Sequence, residues 1–284
     1  MKPTNKIILT IAGSDPSGGA GIQADLKTFT VLGVYGGAVI TCLTIQNTTG
    51  VYSYQPVDST LIKKQIGLIL DDMAVSHIKI GMVGTAEVAE SIGEALIDYD
   101  GEVIYDPVLY ASTGQPLMDA SGLAALNDHI VSKATVITPN IPELVMLAHK
   151  KAASSKLVNE AASELFGRFT KLRIVIVKGG HQDIQKNLVT DYLAMREKPD
   201  RAGQQDRTTV LSESHPRITT DNNHGTGCTF ASAFTAFHFL TGDDVTAFRK
   251  SISFMDELLT LSSSYRLGHG HGPLIHHLII ERQT

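Results

Sequence analysis

Several features are scarce or absent in the 284-residue sequence, and each absence excludes a class of protein. Only two cysteines occur, Cys42 and Cys228, so the chain cannot form a disulfide framework and a reducing compartment is expected. No apolar run approaches the length of a membrane span, and the apolar stretch before Gly13 is too short for a signal peptide. We therefore expect a cytoplasmic protein with no membrane partner.

The balance of charge argues against nucleic acid as a partner. The net charge is −5, and the 24 lysines and arginines are scattered along the chain. A nucleic-acid groove would need a basic stripe. With 43% hydrophobic residues and no linker, repeat or low-complexity tract, the sequence is long enough to bury one large core. We therefore expect a single domain over residues 1–284.

Short β-rich segments alternate with helical patterns along most of the chain. The first segment, 7–12, is a nearly continuous apolar run that ends in Gly13-Ser14-Asp15, which is typical of a strand buried on both faces. Repeated βα units predict an α/β fold, with a mostly parallel sheet and helices on both faces. Residues 187–219 break this pattern and predict two strands, near 188–195 and 208–211, in an edge hairpin or lid. The other predicted elements are strands at 36–43, 77–80, 102–105, 134–137 and 173–177, and helices at 19–32, 58–73, 85–98, 119–131, 141–170, 225–240 and 243–264.

The most informative segment is the glycine-rich turn at 223–231, Asn-His-Gly-Thr-Gly-Cys-Thr-Phe-Ala, which leads into a long apolar helix. Gly225 and Gly227 let the backbone approach a ligand closely, and the unpaired N–H groups of the helix start favour a phosphate or an oxyanion. Cys228 lies at the first turn, where the pKa of a thiol tends to fall. Three roles compete for Cys228: nucleophile of a thiol protease or amidase, packed helix residue, and proton acceptor of a phosphotransferase.

Charged residues follow three of the predicted strands, at the edge where open α/β sheets bind ligands. Asp106 and Glu143 follow two of them, and two acids at adjacent strand ends favour a shared divalent cation. Turn formation by Asp106 and helix capping by Glu143 are the structural alternatives. Lys178 precedes a double glycine, where its ammonium group can lie along a nucleotide phosphate. Asp25, inside the first helix, is expected to be a surface charge. Only a phosphotransferase uses both acids, the lysine and Cys228 together, so we favour that interpretation.

These segments together resemble the hydroxymethylpyrimidine/phosphomethylpyrimidine kinases of thiamine biosynthesis, within the ribokinase-like superfamily. The resemblance runs from Thr-Ile-Ala-Gly-Ser-Asp at 10–15 to His-Gly-His-Gly-Pro-Leu at 269–274. Its most specific parts are residues 18–28, Gln-Asn-Thr at 46–48 and His-Gly-Thr-Gly-Cys-Thr at 224–229. It implies a ribokinase-like fold, ATP as co-substrate, Mg²⁺, a small-molecule acceptor and commonly a homodimer.

The resemblance also implies a reaction and a set of site residues. The reaction is two successive phosphorylations, first of the 5-hydroxymethyl group of 4-amino-5-hydroxymethyl-2-methylpyrimidine and then of its monophosphate. Gln46 would hydrogen-bond the aminopyrimidine, which suits an amide that both donates and accepts. Ala20, Thr44, Met82 and Val108 would contact the ring, with Asp25 nearby. Gly225, Thr226 and Gly227 would form an anion hole beside Cys228, which would act as the base. Asp106 and Glu143 would contact Mg²⁺, largely through water, and Asn140 and Lys178 would contact the ATP phosphates.

Two other functions remain open at this point. A pyridoxal or pyridoxine kinase of the same superfamily is the first, and Gln46 argues against it because an aminopyrimidine rewards the amide more clearly than a hydroxypyridine does. A non-catalytic sensor of thiamine precursors is the second. A pure binder needs neither a base nor metal-binding acids, so the acids and Cys228 argue against a sensor.

Overall fold

A computed structural model describes residues 6–110, 120–148, 155–181, 187–197 and 206–282. One sheet of nine strands runs through these residues. The strands are β1 (Ile7–Ser14), β2 (Gly36–Asn47), β3 (Gly50–Pro56), β4 (Val75–Ile80), β5 (Glu102–Tyr105), β6 (Val136–Ile137), β7 (Ile174–Val177), β8 (Leu188–Glu197) and β9 (Arg207–Pro216). Their order in the sheet is β3-β2-β1-β4-β5-β6-β7-β8-β9. The six consecutive strands β2, β1, β4, β5, β6 and β7 are parallel to one another. Strands β3, β8 and β9 run antiparallel to the strands they pair with. The predicted mostly parallel sheet is confirmed.

Helices connect the parallel strands, and their ends follow local signals in the sequence. The side chain of Asp58 accepts from the N–H of Leu61 at 2.9 Å and begins the second helix. Gly242, with φ 66°, ends the seventh helix in the left-handed conformation that glycine tolerates. The helices are α1 (Gly21–Val31), α2 (Ser59–Asp72), α3 (Ala86–Ala95), α4 (Ala120–Ala125), α5 (Ile141–Leu147), α6 (Ser155–Arg168), α7 (Thr226–Thr241), α8 (Asp244–Ser262) and α9 (Leu278–Glu281).

Both faces of the sheet are buried under helices, as the continuous apolar strands predict. Within β5, Val103 and Tyr105 pack into the core cluster that also holds apolar residues of α2 to α6. Ile104, between them, packs into a second cluster with Phe234 of α7 and Phe248 of α8. Successive strand residues point to opposite faces, so one short strand contributes to two cores. The expectation of helices on both faces is confirmed.

Several elements differ from those predicted. Strand β3 was not predicted. The helix predicted at 119–131 changes after α4 into a π-helical segment, Leu126–Val131. A single helix over 141–170 is wrong, because α5 ends at Leu147, whose free carbonyl accepts from the guanidinium of Arg168 in α6 at 2.8 Å. Residues 149–154 of that predicted helix lie outside the described residues.

The segment 187–219 contributes an antiparallel pair at one edge of the sheet. Strand β8 pairs with β7 on one side and with β9 on the other, over ten residue pairs with β9. Both strands are longer than predicted, and residues 198–205 between them lie outside the described residues. A lid function for this hairpin stays a prediction. Among the helices that the structure describes, none is long and apolar enough to cross a membrane.

Candidate active site

The turn at 225–228 lies where α7 begins, beside the loop that follows β1. Gly225 is the N-cap of α7, and its φ of 80° belongs to the left-handed region that favours glycine. A Cβ atom on Gly225 would lie 1.7 Å from the carbonyl oxygen of Gly19, so no side chain fits there. The backbone of this turn therefore packs directly against the loop, and the first-turn N–H groups of the 16-residue helix α7 lie at this turn.

Asp106, Lys178 and Thr138 form one side of the site, at the ends of β5, β6 and β7. The ammonium group of Lys178 donates to Asp106 Oδ1 at 2.6 Å, and the hydroxyl of Thr138 donates to the same oxygen at 3.1 Å. Asp106 Oδ2 is buried and has no hydrogen-bond partner among the described residues. A Cβ on Gly227 would lie 3.3 Å from Lys178 Nζ, so the turn faces this ion pair. A buried carboxylate oxygen without a partner, beside an anion-binding helix start, fits a metal cation that accompanies a phosphate.

Asn140 and Glu143 form a reciprocal capping box at the start of α5. Asn140 Oδ1 accepts from the N–H of Glu143 at 2.9 Å, and Glu143 Oε2 accepts from the N–H of Asn140 at 2.8 Å. Burial raises the pKa of Glu143 to about 7, while Lys178 opposes that rise and Asp106 adds to it. Capping accounts for one oxygen of Glu143. The carboxyl group also lies close enough to Asp106 and Lys178 for both charges to shift its pKa.

A chain of polar side chains forms the other side of the site. Gln46, on β2, lies with Nε2 3.1 Å from His224 Nε2, and that ring nitrogen is 2.8 Å from Asp15 Oδ2. Burial of Asp15 opposes its ionisation, but hydrogen bonds from His224 and Ser17 lower its pKa to about 2. An ionised carboxylate accepts, so His224 Nε2 carries the proton and donates to Asp15. The amide of Gln46 therefore lies against a buried histidine that directly precedes the 225–228 turn.

Four more residues predicted to contact the pyrimidine flank the same strand ends: Ala20, Thr44, Met82 and Val108. The N–H of Ala20 donates to Asp15 Oδ2 at 2.9 Å, and the hydroxyl of Thr44 donates to the Ser14 carbonyl at 3.0 Å. Met82 Sδ would lie 3.5 Å from a Cβ on Gly13. The N–H of Val108 donates to the carbonyl of Asp106 at 2.8 Å. Ala20, Thr44 and Val108 therefore lie on the segments that also carry Asp15, Gln46 and Asp106, and Met82 lies in the loop after β4, beside Gly13.

Asp25 is buried, so the expectation that it is a surface charge is wrong. Its side chain and that of Lys79 are both 0% exposed and form an ion pair at 2.9 Å. The hydroxyls of Thr10 and Ser232 each donate to the same carboxylate at 2.6 Å. The helix that carries Asp25 packs between β1 and α7, so a position that looks helical and polar in sequence is interior in the fold. Asp25 is therefore a paired charge beneath the site.

The pKa of the Cys228 thiol is raised, so the expectation that the helix start lowers it is wrong. Burial raises the pKa of Cys228 to about 11, although Lys79 acts in the opposite direction. The carboxylates of Asp106 and Asp25 raise it further. At the first turn of α7, desolvation and two nearby acids therefore outweigh the helix dipole and Lys79.

Two residues of the site received no role from the sequence. His224 directly precedes Gly225 in the glycine-rich turn, and Asp15 directly follows strand β1. Both residues therefore lie in segments that the sequence had already singled out. Their contact joins positions 209 residues apart in the chain, which no local pattern reveals.

A mostly parallel α/β sheet, with a glycine turn at a helix start facing the Asp106–Lys178 ion pair, defines a small-molecule kinase of the ribokinase-like class. Residues 15–275 match the model of one family, described as phosphomethylpyrimidine kinase. The chain belongs to this family.

Individual relatives agree over nearly the full length. The hydroxymethylpyrimidine/phosphomethylpyrimidine kinase of Haemophilus influenzae is 37% identical over 275 residues, covering 95% of this chain and 96% of that protein. A crystal structure of phosphomethylpyrimidine kinase from Clostridium difficile is similar with a TM-score of 0.73 and 32% identity, over 89% of this chain and 99% of the other. A pyridoxal kinase from Bacillus subtilis, solved as an ADP complex, has a TM-score of 0.80 at 29% identity, over 98% and 100% of the two chains.

Proposed function

We propose that this chain, as one kinase domain, transfers phosphoryl groups from ATP to 4-amino-5-hydroxymethyl-2-methylpyrimidine and then to its monophosphate, a step of thiamine biosynthesis. The observation that carries the proposal is the position of the 225–228 turn. Asp106 and Lys178 lie on one side of it, and the Gln46–His224–Asp15 chain lies on the other. A phosphate donor and a polar acceptor therefore have separate places that meet at one helix start.

The donor side suits ATP with Mg²⁺. Lys178 and Asn140 hold the ATP phosphates in the proposal, and the similarity to a pyridoxal kinase that was solved with ADP supports a nucleotide there. Asp106 and Glu143 would hold Mg²⁺, largely through water, and the unpartnered Oδ2 of Asp106 supports this assignment. When bound, Mg²⁺ neutralises charge on the phosphate oxygens.

The helix start and Cys228 act on the group that is transferred. The backbone N–H groups of Gly225, Thr226 and Gly227 stabilise the negative charge of the moving phosphoryl group. Because the pKa of Cys228 is about 11, its thiol is protonated at pH 7 in the free protein. We therefore assign Cys228 to positioning the acceptor hydroxyl, and removal of the proton by Cys228 would first require its thiolate.

The acceptor side suits an aminopyrimidine. Gln46 hydrogen-bonds the ring, and its amide is oriented by His224 at 3.1 Å. Because the one proton of His224 Nε2 donates chiefly to Asp15, the Gln46 atom facing it is best assigned as its carbonyl oxygen, which shares that proton and leaves the NH₂ group for the acceptor. Asp25 lies beneath this acceptor side, in its buried ion pair with Lys79. The ring walls are the four residues Ala20, Thr44, Met82 and Val108.

The homodimer and the cellular compartment belong to the same proposal. On the edge formed by β2 and β3, the apolar side chains of Leu43, Ile45 and Tyr52 are 51%, 63% and 64% exposed. An exposed apolar edge of this kind favours pairing with a second copy of the chain. Cys42 and Cys228 are free thiols, which supports a reducing, cytoplasmic location.

Two alternatives are tested by the same assay. The similarity to a pyridoxal kinase favours pyridoxal as a second acceptor. A non-catalytic sensor would turn over nothing. The assay couples ADP release to a spectroscopic signal, with the hydroxymethylpyrimidine, its monophosphate and pyridoxal offered separately. We expect turnover with both pyrimidines and a lower kcat/KM for pyridoxal. No turnover with either pyrimidine would refute the proposal.

A further inference from the structure

The turn at residues 178–180, which carries Lys178 beyond the end of β7, is held by the neighbouring strand β8. A Cβ on Gly179 would lie 1.9 Å from the carbonyl oxygen of Thr190, so the turn touches β8 backbone to backbone. The N–H of Gly179 donates to Asp191 Oδ1 at 2.6 Å. Two different contacts therefore fix the peptide group that follows Lys178.

Asp191 is itself fixed by a histidine that lies between two carboxylates. His215, on β9, has Nε2 3.2 Å from Asp191 Oδ2 and Nδ1 2.8 Å from Asp256 Oδ1, on α8. Burial lowers the pKa of His215, but the two carboxylates raise it to about 9. The ring is therefore doubly protonated at pH 7 and donates to both acids. Three elements, β8, β9 and α8, are joined at this point.

The hairpin also reaches the far end of the same turn. Arg217, directly after β9, donates from its guanidinium to the Gly180 carbonyl at 3.1 Å. The side-chain hydrogen bonds of Asp191, His215 and Asp256 run to one another and to the Gly179 amide. Residues of the β8–β9 hairpin therefore hold both ends of the 178–180 turn by hydrogen bonds.

We propose that Asp191 and His215 are positioning residues for the nucleotide. They hold the 178–180 turn so that Lys178 Nζ stays against Asp106 and the start of α7, where the phosphates of ATP bind. This inference rests on the proposed function. A cation that must meet a phosphate within hydrogen-bonding distance depends on the support behind it, because a small displacement weakens a charge-assisted contact strongly. The acceptor side, built on β1 and β2, does not depend on this support.

The test compares variants of the support with a matched control on the same hairpin. Asp191→Ala removes the acceptor for the Gly179 amide, whereas Asp191→Asn keeps an oxygen there and loses the charge and the acceptor that face His215. His215→Gln removes the imidazolium. The control is Glu213→Gln, which breaks an exposed salt bridge between β9 and α8, at 2.6 Å from Arg249, without touching the turn.

Each variant is measured by calorimetric titration with a non-hydrolysable ATP analogue and by separate KM values for ATP and for the pyrimidine. We expect Asp191→Ala to weaken nucleotide binding about tenfold or more, since a hydrogen bond to a charged group is lost. Asp191→Asn and His215→Gln should weaken it less, and Glu213→Gln not at all. The KM for the pyrimidine should stay within about twofold of wild type in every variant.

An unchanged nucleotide affinity in Asp191→Ala, or an equal rise in both KM values, would overturn the inference. If Asp191→Ala does not fold, Asp191→Asn and His215→Gln decide by the same two readouts. The outcome is separable from the proposed function. A wild-type protein that binds the analogue but phosphorylates neither pyrimidine would contradict that function, while the comparison of nucleotide affinities would still decide on the hairpin.

Discussion

The buried ion pair between Lys79 and Asp25 allows a prediction whose size follows from the structure. Both side chains are 0% exposed, at 2.9 Å, and the hydroxyls of Thr10 and Ser232 complete the hydrogen bonding of the carboxylate. Lys79→Met leaves the Asp25 carboxylate buried with only the two hydroxyl donors. Removing one partner of such a pair costs about 3–5 kcal/mol of the free energy of unfolding.

Urea unfolding, followed by circular dichroism, measures this loss. With a slope of about 3 kcal/mol per M for a chain of this size, the midpoint should fall by about 1–2 M urea. The double variant Lys79→Met/Asp25→Leu is the matched control, because replacing both charges by apolar groups of similar volume is often nearly neutral. We expect the double variant to be more stable than Lys79→Met alone.

Two results would refute this account of the pair. A loss below about 1 kcal/mol in Lys79→Met would mean that the buried charge finds another partner or water. A double variant that loses the sum of the two single losses would mean that the side chains are not energetically coupled.

Three further predictions concern the site. Cys228→Ala should lower kcat by about 10²-fold or more, as loss of a group that positions the reacting hydroxyl does, with the affinity for an ATP analogue unchanged; near-wild-type kcat would contradict a role for Cys228 in the reaction. Gln46→Leu should raise the KM for the pyrimidine about tenfold and leave the KM for ATP unchanged, because a buried hydrogen bond to the acceptor is lost; equal effects on both KM values would argue against the pocket assignment. His215 should stabilise the fold fully below pH about 6.5, and its contribution of up to about 3 kcal/mol should disappear as the pH rises through about 9, because its pKa is raised in the fold. Thermal unfolding of His215→Gln should then lack this step, and an identical pH profile in the variant would contradict the assignment.

Much of the fold was predictable because it depends on local patterns. Strand β5 has the predicted bounds, since its apolar run is buried on both faces and is bounded by polar residues. The caps at Asp58 and Asn140 act within three residues of themselves. Strand β3 was missed because it is an edge strand with a mixed burial pattern, so it shows no clean alternation.

The environment of the site was less predictable than its members. Asp106 and Lys178 were expected together because each follows a strand at the same edge of the sheet, and the 225–228 turn was grouped with them because only a phosphotransferase uses all three. The partner of Asp25 is 54 residues away, and that separation made a buried charge look like a surface one. The pKa of Cys228 depends on acids and a lysine from other elements, so the helix start alone predicted the wrong direction.

The central claim is that the 225–228 turn, between Asp106–Lys178 and Gln46–His224, transfers phosphoryl groups to a pyrimidine alcohol. Phosphorus NMR of one reaction, with the protein, ATP, Mg²⁺ and 4-amino-5-hydroxymethyl-2-methylpyrimidine, tests it most directly. The account predicts a phosphate monoester signal that appears first and is then replaced by the two coupled signals of a diphosphate. ATP that stays intact, or that yields only ADP and inorganic phosphate, would contradict it.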